Sequence, residues 1–226
     1  FLEIPTQESV QAIISYPDTK DHTVAHSYLV MLTKNGMIKK TELLDFGNVR
    51  RTGIIAIKLK KNDLLRWVKM STGSDEVIIT TVSGQAVRFK ESQIRSMGRG
   101  ASGVGGIRLK NGDVVSGADV ISAQQKEAEI LIVMSKGYAK RTKIKFYKRQ
   151  KRAGSGIKTA KVTEKTGPVV SAKILNPEEE DLIAISKKGQ LIRTPLADVS
   201  ILGRATQGVR VMRLKEGDQI SSITTL

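Results

Sequence analysis

A β-type unit of about 50 residues recurs four times along this chain, and that recurrence limits the folds open to it more than any other feature. Self-similarity at such a period marks an architecture in which each unit buries its apolar face against the next. Each unit begins with a β-branched apolar run, at residues 28–32, 76–82, 129–134 and 181–185. A turn follows, carrying Gly36, Gly84, Gly137 or Gly189, and these turn glycines are 48, 53 and 52 residues apart. The fourth residue after the turn glycine is always basic: Lys40, Arg88, Arg141 and Arg193. A second glycine comes 17 to 19 residues later (Gly53, Gly103, Gly156, Gly208), preceded two or four positions earlier by Arg51, Arg99, Arg152 or Arg204.

The register holds beyond the second glycine. Its fifth successor is Lys58, Arg108, Lys161 or Arg213, between residues that are mostly aliphatic, as in Ile107/Leu109 and Met212/Leu214. Period-two alternation puts those neighbours on one face and the cation on the other, which predicts a half-buried third strand with its charge outside. Turn signals such as Asn111-Gly112-Asp113 and Glu216-Gly217-Asp218 then lead into a fourth strand at 64–70, 114–121, 169–175 and 220–226. No window shows a capped 3.6-residue period, so the expected class is all-β. Four short strands per unit, repeated about a ring, protect sheet edges in the propeller manner. The predicted architecture is four full repeats, at 21–73, 74–124, 125–177 and 178–226, plus a partial one at 1–20. In that partial repeat residues 1–4 would be a third strand and 9–16 a fourth, so the chain reads as part of a longer one.

Charge follows the repeat. The net charge is +16, and the stretches from each turn to the end of each third strand (34–61, 84–110, 136–165, 187–215) hold 33 of the 38 basic residues but 5 of the 22 acidic ones. Units arranged about an axis would bring those stretches to one radius, as a continuous belt. A belt fits the uniform phosphate backbone of duplex DNA and suits a small acidic ligand poorly. Aromatic residues are 4% of the chain, too few for the stacking platforms that single strands need, and no reading helix is evident, so base-specific recognition is not expected. Trp67 falls in a fourth strand and reads as core.

Other chemistries find little footing. There is no cysteine, which removes disulfides and thiol chemistry, and His22 and His26 alone do not make a zinc site. Gly98-Arg99-Gly100-Ala101-Ser102-Gly103 matches a dinucleotide fingerprint literally, but β-type sequence follows it where a helix is required. The run Glu178-Glu179-Glu180-Asp181 reads as a solvated turn. No apolar run reaches the length of a membrane span, and the start of the chain has no leader pattern. No catalytic residue, metal or cofactor is expected in this domain.

The residues also resemble a known family. Val87-Arg88-Phe89-Lys90-Glu91-Ser92, Ile94-Arg95-Ser96-Met97-Gly98 and Gly103-Val104-Gly105-Gly106-Ile107-Arg108-Leu109 are similar to the C-terminal domain of DNA gyrase A. So are Lys39-Lys40-Thr41, Lys140-Arg141-Thr142, and Ile201-Leu202-Gly203-Arg204 with Thr206-Gln207-Gly208-Val209. The resemblance covers nearly the whole chain. It implies a β-pinwheel, a propeller-like ring of four-stranded antiparallel blades with strands swapped between neighbours, whose basic rim wraps duplex DNA to support negative supercoiling. The implied partners are duplex DNA, the rest of gyrase A, and gyrase B, in the bacterial cytoplasm at the nucleoid, with the isolated domain a monomer and no membrane involved. Cleavage tyrosine, ATP and Mg would belong to other domains of that type IIA topoisomerase, and Tyr16, Tyr28, Tyr138 and Tyr147 read as core or rim.

The expected DNA-binding set joins the repeat cations named above to their neighbours Lys39, Arg50, Lys140, Lys148, Arg149 and Lys151. The family's wrapping heptapeptide, Q-R-R-G-G-K-G, belongs to a first blade that has no counterpart here. Its nearest match, Gln150-Lys151-Arg152-Ala153-Gly154-Ser155-Gly156, retains Gln150, Arg152, Gly154 and Gly156 in a later blade. That displacement keeps a relative open, the corresponding C-terminal domain of topoisomerase IV, which would recognise DNA crossings. A propeller-like scaffold whose basic rim docks an acidic protein is the alternative from another class.

Overall fold

The computed structural model describes residues 9–16, 26–48, 53–125 and 127–226. Among them are fifteen strands and no α-helix. The first unit holds β1 (Tyr28–Thr33), β2 (Met37–Glu42) and β3 (Leu65–Ser71). The second holds β4 (Glu76–Thr81), β5 (Gln85–Lys90), β6 (Val104–Gly105) and β7 (Val115–Ile121). The third holds β8 (Glu129–Met134), β9 (Tyr138–Lys143), β10 (Ile157–Lys158) and β11 (Val169–Ile174). The fourth holds β12 (Asp181–Ser186), β13 (Leu191–Pro195), β14 (Val209–Arg210) and β15 (Ile220–Thr225). A single 3-10 turn follows the second strand of each unit, for example Ile144–Phe146.

All pairings within the sheets are antiparallel, in the orders β3-β1-β2-β6, β10-β5-β4-β7, β11-β8-β9-β14 and β13-β12-β15. Each short third strand therefore leaves its own unit and completes the preceding sheet. β6 pairs with β2, β10 with β5 and β14 with β9. This is the all-β pinwheel of four-stranded blades, with the exchange of strands that the resemblance implies. The fourth blade keeps three strands, and the outer edge of β13 has no partner among the described residues.

In the second, third and fourth units the second glycine makes the exchange possible, because the donated segment crosses the accepting strand at van der Waals range. Gly103, Gly156 and Gly208 have φ of +85°, +76° and +77°, and a Cβ on them would lie 2.4 to 2.7 Å from the carbonyl oxygens of Ile38, Ala86 and Ala139. Any side chain would meet backbone as well as the strain of a left-handed conformation.

Burial explains the apolar runs. β4 sends Val77 and Ile79 into a core shared with Val30 and Leu32 of the first blade, and Ile78 into one shared with Ile130 and Ile132 of the third. β8 is divided in the same way, with Leu131 and Val133 packed on Leu182 and Ala184. A strand sandwiched between two blades has no solvent face and reads as continuously apolar. The inner strands β3, β7, β11 and β15 succeed one another about the axis. There Trp67 packs half-buried on the core between the first two blades and lines a cavity of about 740 Å³.

Two expectations fail. In the second, third and fourth units the third strand is two residues long and starts directly after the crossing glycine, so the alternating cation and its neighbours lie past the end of the strand, and in the first unit residues 53–60 form no strand at all. Residues 9–16 form no strand; Ile14 packs instead with Ile54, Ala56 and Ile57 on Leu29, Met31, Leu43 and Phe46. Residues 1–4 lie outside the described ones.

Candidate nucleic-acid interface

The short third strands stand at the outer edges of the blades, so their flanking segments make the perimeter. Backbone hydrogen bonds join those segments from unit to unit. Lys58 N donates to Ala101 O (3.2 Å), Arg108 N to Gly154 O (3.0 Å) and Lys161 N to Thr206 O (2.9 Å). Each of these three cations is thereby tied to the arginine loop of the following unit. All four of them, Lys58, Arg108, Lys161 and Arg213, are exposed. Their apolar neighbours Ile107, Ala160 and Met212 are buried, so the inside–outside alternation survives without sheet hydrogen bonds.

The loop arginines lie between adjacent units. Arg99 Nη1 donates to Asp45 O (3.2 Å) and Arg204 Nη1 to Lys158 O (2.9 Å). Arg152 donates to Gln93 O (3.2 Å) and Gly105 O, and its backbone N–H to Gln93 Oε1 (2.8 Å). Each guanidinium uses one or two of its five N–H groups on backbone, which fixes its plane and leaves donors for an anion. Gln150 N donates to Arg88 O (2.7 Å), and Gly154 and Gly156 seat the same loop on β5. Lys148, Arg149 and Lys151 are exposed beside it, and Arg149 also pairs with Glu76. Arg50 and Arg51 lie outside the described residues.

The basic residue four places after each turn glycine is placed differently. Arg88 Nε lies 2.5 Å from Glu76 Oε2, Arg141 Nη1 3.1 Å from Glu129 Oε2, and Arg193 Nη2 2.5 Å from Asp181 Oδ2. In each case the acid opens the first strand of the same blade, two residues along the register from the position facing the cation. The first blade has Tyr28 at that place, and Lys40 Nζ sits 4.7 Å from its ring centre while pairing with Glu91 at 3.2 Å. Lys40 is buried and Arg88 and Arg141 are mostly so, which takes these three members of the expected DNA-binding set off the exposed perimeter; Arg193 is exposed.

Lys39 and Lys140 are also off the surface, each 0% exposed. Burial, with a smaller contribution from Arg204, pushes the Lys140 amine down to about 7. The Lys39 amine is likewise lowered by burial, with Asp45 opposing and Arg99 reinforcing the shift. Tyr147 is buried with its hydroxyl 2.6 Å from Thr159 Oγ1, and burial raises it to about 12.

Several perimeter cations escaped the sequence reading. Lys60, Lys110 and Lys215 recur seven places after the second glycine of their units, and Lys158 and Arg210 two places after it; all are exposed. The signal was the same repeat phase, one pleat beyond the alternating cation for the three lysines and three residues before it for Lys158 and Arg210. The fitness of this perimeter for an extended polyanion rests on charge with few carboxylates nearby. Among the described residues no group of three or more His, Cys, Asp or Glu side chains could hold a metal, and no helix is long and apolar enough to cross a membrane.

Comparison with known proteins agrees with this geometry. The family model for the DNA gyrase C-terminal domain, beta-propeller, matches residues 27–71, 75–122, 128–176 and 180–226. The DNA gyrase A protein of Staphylococcus epidermidis is 38% identical over 222 residues, which is 98% of this chain and 24% of that protein. Its counterpart from Staphylococcus aureus strain MRSA252 is also 38% identical with the same coverage. The chain thus spans about a quarter of the length of these relatives. A solved DNA gyrase A C-terminal domain superposes with a TM-score of 0.83 at 29% identity, over 99% of this chain and 72% of the other. The C-terminal domain of a DNA topoisomerase IV gives a TM-score of 0.82 at 24% identity, over 89% and 62%, a likeness of fold.

Proposed function

The chain belongs to the DNA gyrase C-terminal domain family, and from that membership we propose that it binds duplex DNA along its perimeter and bends it into a wrap without regard to base sequence. The observation that carries this reading is the continuity of the rim: exposed cations and arginine loops of successive units are stitched together by backbone hydrogen bonds. Phosphates recur uniformly along a duplex, so a continuous rim meets them in any sequence. Bending costs on the order of several kcal/mol, offset by the added phosphate contacts. In the longer protein the wrap would serve gyrase A together with gyrase B, at the bacterial nucleoid, by presenting a DNA segment for passage. Strand cleavage, ATP and Mg would lie elsewhere in that assembly. Binding by this domain should be indifferent to EDTA and to ATP.

The test has two arms. Affinity for a mixed-sequence duplex should fall with salt at a log–log slope steeper than about −3.6, the contribution of four phosphate contacts. Nicked circles religated with the chain bound should carry a fixed change in linking number per bound molecule. A flat salt response overturns the DNA reading and favours the acidic-protein scaffold. Steep salt dependence without a linking change favours the crossing recognition of the topoisomerase IV relative, a reading supported by the position of the Gln150–Gly156 loop on the second blade.

A further inference from the structure

Two fully buried lysines occupy the same place in the repeat, three residues after the turn glycine, in the first and third units. Lys39 Nζ donates to Ala56 O (2.6 Å) and to Arg99 O. Lys140 Nζ donates to Gly203 O (2.8 Å), to Arg204 O and to Thr206 Oγ1 (3.2 Å). In both units the amine reaches across to the loop of the following unit and grips the carbonyl of the loop arginine itself. Neither amine has a carboxylate among these partners. The surrounding strand needs no lysine there, since the second and fourth units carry Val87 and Ile192 at the corresponding place and still form β5 and β13. Burying an amine is costly where an aliphatic side chain would serve. What the lysines provide and the aliphatics do not is a hold on the loop.

We propose that Lys39 and Lys140 are positioning residues of the rim, fixing the loops that carry Arg99 and Arg204 so that those guanidinium groups meet phosphate already oriented. This rests on the DNA-binding reading above. The parallel bridges Lys40–Ser96 and Arg141–Ile201 fall in the same two units, so strand and amine hold one loop from both ends. The loop of the third unit, resting on Val87, is tied instead by Gln93, Gln150 and its own Arg152. The rim therefore alternates between loops held from within and a loop held from its surface, and preorganisation lowers the ordering cost of binding at the first kind.

The experiment is a double-mutant cycle on the 226-residue chain, read as affinity for a mixed-sequence duplex at several salt concentrations, with thermal stability measured alongside. Lys140→Met should weaken binding about 3- to 10-fold and reduce the salt slope by about one, as expected when a single phosphate is no longer engaged. Arg204→Ala should do the same. The pair combined should lose no more than either alone, because both remove the same interaction, whereas Lys140→Met with Arg152→Ala should lose the product of the two. Independent effects of Lys140→Met and Arg204→Ala, or unaltered binding in Lys140→Met, overturn the proposal. If Lys140→Met does not fold, Thr206→Val removes one acceptor of the same amine and should show a smaller loss, again absent once Arg204 is gone; its failure to couple is equally decisive. A wild-type chain that does not bind the duplex refutes the function reading and leaves no role for these lysines on the rim.

Discussion

Arg88 and Lys161 look alike in the sequence, each a cation at a fixed phase of the repeat, yet their surroundings give them opposite work. Arg88 is folded inward against Glu76 and donates to Ile144 O (2.8 Å) and Tyr147 O (3.1 Å), bonding the second blade to the third. Lys161 is exposed and pairs with no carboxylate within 4 Å among the described residues. Arg88→Ala should cost about 1–3 kcal/mol of stability, because two carbonyls lose a charged donor, while leaving the salt slope of DNA binding unaltered. Lys161→Glu should keep the melting temperature within about 2–4 °C, as expected of a surface change, and flatten the slope by about one or more. An exchange of these two outcomes would invert the assignment. Lys140 supplies a pH signature. Its amine is held to about 7, against an ordinary value of about 10.4 in the unfolded chain. Between those values the unfolded state binds the additional proton, so stability rises with pH through this group. The urea midpoint of the wild type should therefore climb relative to Lys140→Met from pH 7 to 9; a constant gap would show that the amine is not depressed.

At the scale of the element, the third strand decides most. It is two residues long, too short to hold a sheet by itself, and depends on the crossing glycine to reach the neighbouring blade. Gly156→Ala should be destabilising by more than about 2 kcal/mol, since it adds a clash with Ala86 O to the strain of positive φ. Gly53 has φ +78° but nothing within 4 Å of its would-be Cβ. Gly53→Ala should cost only the conformational penalty, about 1–2 kcal/mol. Equal losses at both glycines, measured by denaturant unfolding, would mean that the approach to β5 is not what requires glycine. Among the described residues no strand is donated to the last blade, and this shows in the same register. Leu191 is 59% exposed where Ile38, Ala86 and Ala139 are each 0% exposed. Apolar sequence identifies all four as strand residues, and only the presence or absence of a donated neighbour separates them.

For the whole molecule, the phase-locking of charge becomes a perimeter because the blades turn about a common axis and the donated strands stand outermost. Reversing the perimeter cations of one unit, for example Arg108→Glu with Lys110→Glu, should weaken binding to AT-rich, GC-rich and mixed duplexes by the same factor. A loss confined to one composition would indicate base or shape readout in place of backbone contact. The amino-acid sequence by itself determined the repeat, the all-β class, the turns and the segregation of basic from acidic stretches, because these follow from periodicities of two and about fifty residues that local chemistry imposes. It could not separate Arg88 from Lys161, or reveal that Lys39 and Lys140 point inward. Those outcomes depend on which acid stands across the sheet and which loop of another unit arrives overhead. Tertiary structure alone decided them, because the energy of a charge is set by the solvent and partners around it, and these are supplied by residues far away along the chain.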